Sequence, residues 1–318
     1  MYPLMSLVGN MGPIVSGLAM TQVSKFVRTI HADDDVAFEA SLKILTSFMT
    51  VAGGIVMGLY WFINKRYDEE KAEIEAAVAA APPSPVTKSG GGHKKSKAKL
   101  SFVESIRVLG ADPYLRSIAT MVVSYGLTME FTEIIWKASV KKAFPIKTDY
   151  LAFMGRYSTM IGIASFFMML VGTRVVALGW RIGALMTPVM MALLAAPFFG
   201  FITFGGTTSP RALLIAVYVG LVQNILSKAT KYTVFDSTKE MTYIPLDTDG
   251  KTKGKAAIDV LGARLGKSGG ALSQQLLVVA CGSILGGAPV LAVLFYLVVF
   301  AWIGNWNLTS LYLPPPTV

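Results

Sequence analysis

The residues best suited to chemistry in this 318-residue chain are carboxylates and lysines set among apolar neighbours. Glu130, Glu133 and Lys137 punctuate the run TMVVSYGLTMEFTEIIWK, which is otherwise fit for lipid. Their i,i+3 and i,i+4 spacings put all three on one helical face. A charge held in a membrane helix costs at least ~2.5 kcal/mol, so one retained there points to a function in moving ions or charged solutes. The structural alternative is a Glu133–Lys137 pair near the membrane edge. A second constellation fills residues 228–275, where Lys228, Lys231, Lys239, Lys251, Lys253, Lys255 and Lys267 are interleaved with Asp236, Glu240, Asp247, Asp249 and Asp259. Lys255 and Asp259 are four apart, a spacing that lets them pair on a helix. Gly262, Gly266 and Gly270 continue nearly the same face, a small-residue track along which a neighbouring backbone or a ligand can approach. Lys267 projects roughly 100° away from that track. Lysines beside glycine suit an anionic ligand, although positive-inside topology alone accounts for Lys228, Lys231 and Lys239.

The segment Gly262-Ala263-Arg264-Leu265-Gly266-Lys267-Ser268 imitates a P-loop, but Leu261 stands where the first glycine belongs, and no β-branched strand precedes it. A hydrolytic phosphate loop is therefore not expected. Two histidines and one cysteine, Cys281, cannot build a histidine or thiolate metal centre, and no cofactor is expected. A lone cysteine also excludes a disulfide within the chain.

Composition sets the solvent. Hydrophobic residues make up 53% and charged residues 15%, with a mean hydropathy of +0.55. Soluble domains carry about 25% charged residues, so an all-α polytopic membrane bundle is expected, with lipid as a partner. The net charge of +10 lies in loops and beside apolar spans, which argues for positive-inside topology and an anionic solute rather than nucleic acid. At about 20 residues per crossing, about eight helices fit, near 2–26, 38–64, 113–143, 150–172, 175–203, 210–233, 254–284 and 289–306. Residues 1–64 read as one pair of helices and 101–318 as a six-helix bundle behind a short surface helix at 101–110. Between them, 65–100 passes from a charged amphipathic piece to APPSPVTKSGGGHKKSKAK, the composition of a basic, disordered linker.

Several long segments carry a family resemblance. KYTVFDSTKEMTYIPLD, KGKAAIDV and LGKSGGALSQQ resemble signature segments of the ATP/ADP translocases of plastids and obligate intracellular bacteria. TEIIWKASVKKAFP, YLAFMGRYSTMIGIASFFMML and VYVGLVQNILSKATKY resemble three more, in the same order, so the match extends over about residues 102–298. The C-terminal SLYLPPPTV departs from the family's charged tail. The resemblance implies a major-facilitator-like bundle of about twelve helices in two related halves. This chain begins where the fifth would, so N-terminal helices are expected in cis.

The resemblance also implies roles. Glu133 matches the glutamate of the family's E-x-x-W-K segment, required for transport, and Lys267 the lysine of its G-K-S-G-G segment, implicated in transport, whereas Glu130 has no counterpart. Together with the residues singled out by type and position, the candidate substrate-binding residues are Glu133, Lys267, Lys255, Asp259, Lys239, Lys228, Asn224 and Arg156. Asn224 and its neighbour Gln223 can hydrogen-bond an adenine edge or simply tie helices together; Arg156 suits a phosphate or an interface anchor. The expected function is a secondary transporter exchanging ATP for ADP, with phosphate, across a plastid envelope or bacterial-type inner membrane. It is not an enzyme, since no nucleophile–base pair is visible. The alternative is a truncated, non-transporting paralogue acting as a binding or structural membrane protein.

Overall fold

The computed structural model describes residues 2–80, 102–177, 179–205 and 209–310. They form helices joined by short turns: α1 Tyr2–Ile30, α2 Asp34–Ala80, α3 Phe102–Ala111, α4 Pro113–Ala143, α5 Lys147–Ala177, α6 Trp180–Phe204, α7 Pro210–Thr230, a π-helical turn Lys231–Phe235, α8 Asp236–Thr242, α9 Thr248–Cys281 and α10 Ala288–Ser310. Among the described residues six helices are long and apolar enough to cross a membrane, within Asp34–Glu73, Pro113–Ala143, Lys147–Gly172, Trp180–Phe204, Pro210–Thr242 and Ala288–Asn305. The chain is an all-α polytopic membrane bundle. Of the eight spans expected, α1 and α9 are not among these six; α9 forms where a span was expected but is diluted by lysine, glycine and serine.

The chain divides into two compact units, residues 22–96 and residues 1–21 with 97–318. In the first, the Asp33 carboxylate accepts from the backbone N–H groups of Asp35 and Val36 at 2.8 and 3.3 Å and so starts α2. Helix α2 continues through 65–80, where the sequence suggested the start of an unstructured linker. Glu, Lys and Ala dominate that stretch and are strong helix formers, so it propagates the helix already begun. The rest of the expected linker, 81–100, lies outside the described residues. Tyr60, Trp61 and Phe62 are exposed on α2, with Lys65 and Arg66 lying 5.4 and 5.6 Å over the Trp61 and Phe62 rings. Aromatics capped by cations suit the boundary between hydrocarbon and headgroups.

In the second unit α4 begins where Asp112 accepts from the N–H groups of Tyr114 and Leu115, with Pro113 at the first helical position. Three ties join the helix ends on one side. The Tyr114 hydroxyl donates to Thr242 O at 2.7 Å, Trp180 Nε1 to Thr238 O at 3.1 Å, and Asn305 Nδ2 to Ser117 O at 2.8 Å. Helices α4, α6 and α9 therefore run one way and α5, α7 and α10 the other.

Glycine sets the closest packing. A Cβ added at Gly254 would meet Leu115 at 2.6 Å, one at Gly262 would meet Val122 at 2.8 Å, and one at Gly270 would meet Glu130 Oε2 at 2.8 Å. Both series rise together, so α4 and α9 pack in parallel with α4 side chains seated in a glycine groove of α9. The glycine track expected to admit a backbone or a ligand thus receives a helix. Helices α1 and α5 approach still more closely. A Cβ at Gly155 would stand 2.6 Å from Thr21 Oγ1 and 2.8 Å from Gly17 O. Backbone cannot yield there as a side-chain tip can. Gly155→Val is expected to cost about 2 kcal/mol of thermal stability by overpacking. Gly200→Val in α6, where nothing lies within 4 Å, should stay within about 0.5 kcal/mol of the parent. Equal melting temperatures for the two variants would contradict the close α1–α5 contact.

Candidate functional site

Helix α4 brings its E-x-x-W-K segment against α5 and α7. Trp136 anchors it: the side chain is fully buried, its Nε1 donates to Val217 O at 2.9 Å, and its ring lies directly on Gly220. No other residue at position 220 leaves room for that ring. With Trp136 seated, Glu133, just under one turn back, faces α7. Its Oε2 lies 3.0 Å from Lys228 Nζ, and its Oε1 2.8 Å from Lys137 Nζ. One carboxylate is thereby clamped between two ammonium groups. Side-chain exposure grades outward, 18% for Glu133, 25% for Lys228 and 47% for Lys137, so the cluster opens to solvent on the Lys137 side. Lys228 has a second neighbour, the ring of Tyr157 on α5, 5.3 Å from Nζ. Tyr157 is buried, its ring centred 4.5 Å from that of Trp136 and tilted 54° to it.

The arrangement is chemically suited to an anion. Two lysines carry more positive charge than one carboxylate neutralises. A phosphate oxygen entering from the Lys137 side finds ammonium donors already aligned, since charge-assisted bonds to phosphate are among the strong ones. The carboxylate keeps the lysines tolerable in low dielectric while no anion is present.

Beyond Lys228 the helix loosens into the π turn Lys231–Phe235. Thr230 and Thr233 turn their hydroxyls onto Leu226 O and Ala229 O, at 2.7 and 3.1 Å, competing for the carbonyls that an α-turn would use. The extra residue aims Phe235 onto Tyr125, 4.6 Å between rings, and leaves Lys231 4.0 Å from Asp236. Such π turns recur at functional sites. Lys239, one turn on in α8, is partly buried with Asp236 as a charged neighbour.

The remaining candidates divide. Lys255 does not pair with Asp259. It turns to Glu240 of α8, with Nζ 2.8 and 2.7 Å from the two carboxylate oxygens. The physical reason is orientation: a basic residue N-terminal to an acidic one is the weaker i,i+4 order, and Glu240 offers both oxygens at once. Asp259 remains exposed and acts on Tyr243 at a distance: burial pushes that phenol up from its usual range, with Asp259 and Glu240 adding to it. Tyr243 therefore stays neutral, with Lys255 5.6 Å over its ring. Arg156 is exposed on α5, turned away from the buried face that carries its neighbour Tyr157. Glu130, expected beside Glu133, lies instead over Gly270 of α9. Lys267 belongs to α9, an unbroken helix that rules out a P-loop there, and its side chain lies outside the described residues. Asn224 is fully buried and bonds within its own helix, Nδ2 donating to Gly220 O at 2.8 Å and to Gln223 Oε1 at 3.2 Å. It does not tie α7 to another helix.

Two members of the site escaped the sequence reading, Tyr157 and Trp136. Both lie inside segments singled out for other residues. Their only signal is a large amphipathic aromatic on an otherwise apolar face, which sequence alone cannot separate from core packing.

A family model described as TLC ATP/ADP transporter matches residues 1–312. The chain is 39% identical over 310 residues to "ADP,ATP carrier protein 1, chloroplastic" of Arabidopsis thaliana, covering 95% of this chain and 47% of that protein. It is 40% identical over 311 residues to "ADP,ATP carrier protein 1" of Chlamydia pneumoniae, covering 95% and 58%. It is 34% identical over 323 residues to "ADP,ATP carrier protein 3" of Rickettsia conorii, covering 98% and 62%. The chain spans about half the length of the curated relatives it matches. No solved structure matches it.

Proposed function

We propose, on the ground that this chain belongs to the TLC ATP/ADP transporter family, that it serves an integral membrane carrier exchanging ATP for ADP. The observation that carries this reading is the Glu133 clamp on Lys137 and Lys228. A nucleotide's terminal phosphates compete with the carboxylate for the two ammonium groups. Bound nucleotide releases Glu133; once the nucleotide departs, the carboxylate closes on the lysines again. The site is thus neutralised either by substrate or by its own carboxylate, and the loaded and empty states differ by one displaced charge. Gradients of the nucleotides drive the cycle, and phosphate is carried alongside ADP as a smaller ligand of the same lysines. Lys267, Lys239 and Lys231 supply further positive charge along the path, and Lys255 and Glu240 tie α8 to α9 at its edge. In this reading residues 101–318 form one six-helix half, residues 1–64 belong with the other half, and the chain between them joins the two, in the two-repeat manner of major-facilitator carriers. The location in this reading is a plastid envelope or a bacterial-type inner membrane, since relatives named as chloroplastic and relatives from bacteria match alike.

Counter-exchange tests it. Vesicles carrying the protein are loaded with ADP, with ADP and phosphate, or with buffer, and uptake of labelled ATP is followed. ATP uptake dependent on internal ADP, and raised further by internal phosphate, is the expected result. Uptake indifferent to the internal solute would overturn the exchange reading.

A further inference from the structure

Resting on the exchange reading above, we propose that Gln223 and Asn224 form the adenine-reading edge of the site, selecting 6-aminopurine nucleotides over 6-oxopurine ones. Both side chains are fully buried, yet each keeps one polar atom without a partner: Gln223 Nε2 and Asn224 Oδ1. Their orientations are fixed by their neighbours. Gly220 O can only accept, so the nitrogen of Asn224 must face it, 2.8 Å away. The same nitrogen reaches Gln223 Oε1 at 3.2 Å, which makes that atom the accepting oxygen and sends Gln223 Nε2 outward. What remains is one amide acceptor beside one amide donor, on consecutive residues.

Adenine is the complement of that pair. Its 6-amino group donates, and the adjacent ring nitrogen, N1 or N7 according to the edge presented, accepts. Hypoxanthine and guanine carry an oxygen at position 6, which would set an acceptor against Asn224 Oδ1. The placement along α7 fits a nucleotide. Ser227, whose buried hydroxyl is also unpartnered, stands one turn on from Gln223, and Lys228 follows Asn224 by four residues on the same face. The base would lie against 223–224 while the phosphates reach Lys228 and Lys137. The rival role, fastening helices, is not the one taken: the amide bonds stay within α7. Polar atoms unpaired at membrane depth are costly, and ligand contact in the loaded state offsets that cost. Access requires α7 to part from α6, and the π turn at Lys231–Phe235 marks the point on α7 where register can change.

Displacement of labelled ATP from the purified protein by unlabelled ATP and ITP tests the assignment, since ITP differs in carrying a 6-oxo group. ITP should bind at least about tenfold more weakly than ATP. Asn224→Leu and, separately, Gln223→Met should weaken ATP about tenfold while leaving ITP unchanged, closing the gap. Lys228→Met should weaken both nucleotides equally. If Asn224→Leu fails to fold by thermal melting, Gln223→Met and the wild-type ATP-to-ITP ratio decide. Equal binding of ATP and ITP by the wild type, or equal loss of both in the amide variants, would overturn the adenine assignment and leave the exchange reading standing. Absence of saturable ATP binding would overturn both.

Discussion

Replacing Glu133 with glutamine is expected to stop counter-exchange while leaving ATP binding intact or tighter. Glu133 stands between Lys228 and Lys137, at 3.0 and 2.8 Å. Its neutral isostere keeps the shape but leaves two ammonium groups facing each other in a partly buried site. Removing one partner of a buried ion pair costs about 3–5 kcal/mol, and the lower end applies here because Lys137 is half exposed. The empty carrier bears that cost, and the loaded carrier does not, since phosphate replaces the carboxylate. Reorientation without substrate then becomes unfavourable, and the maximal rate falls while affinity does not. Lys228→Met and Lys137→Met provide the controls. A merely structural triad predicts that Glu133→Gln/Lys228→Met regains stability and exchange together, because the more buried ammonium is gone and the remaining one, Lys137, is half exposed. The exchange role predicts that stability returns and transport does not. Thermal melting and ATP/ADP counter-exchange on the three single variants and the double decide between them. Weaker ATP binding in Glu133→Gln would also refute competition between carboxylate and phosphate.

The second large effect concerns Trp136, the residue that sets Glu133 at its distance from Lys228. Trp136→Ala is expected to cost about 3–5 kcal/mol, the range for large aromatic truncations in a packed interior. The ring fills the space over Gly220, packs tilted against Tyr157 and donates through Nε1 to Val217 O. Its removal leaves a cavity at the α4–α5–α7 junction and takes away the hydrogen bond to Val217 O. Trp136→Phe should cost less, about 1–3 kcal/mol, as packing survives and one hydrogen bond is lost. Gly220→Ala should resemble Trp136→Ala, since its methyl group would also collide with Phe198 at 2.8 Å. Melting temperature and yield of folded protein in membranes report all three. Wild-type stability in Trp136→Ala would show that the aromatic column does not hold α4 against α7.

Much of the helical layout was legible beforehand. The boundaries of α4, α6 and α7 fall within a few residues of those expected, because Pro113 and Pro210 open helices and apolar runs of membrane length leave little choice. The Glu133–Lys137 pair was legible too, being a matter of i,i+4 spacing on one helix. The π turn was not. Nothing in KYTVF marks it, because an inserted residue gains its advantage from where Phe235 then packs, on Tyr125 and Trp302.

The sequence by itself determined the solvent, the helices and the residue types the site can draw on. It also supplied the glycines of α9, though as an open track. Tertiary structure alone decided that α4 fills that track, that Glu133 holds Lys228 as well as Lys137, and that Lys255 turns from Asp259 to Glu240. It alone placed Tyr157 beneath Lys228 and left Gln223 and Asn224 each with a free polar atom. The division has one physical cause. Neighbours within a helix are fixed by 3.6 residues per turn, whatever the surroundings. Neighbours between helices depend on which helices adjoin, in which direction and at what rotation, and those are set jointly by ring seats and glycine contacts spread over the whole bundle.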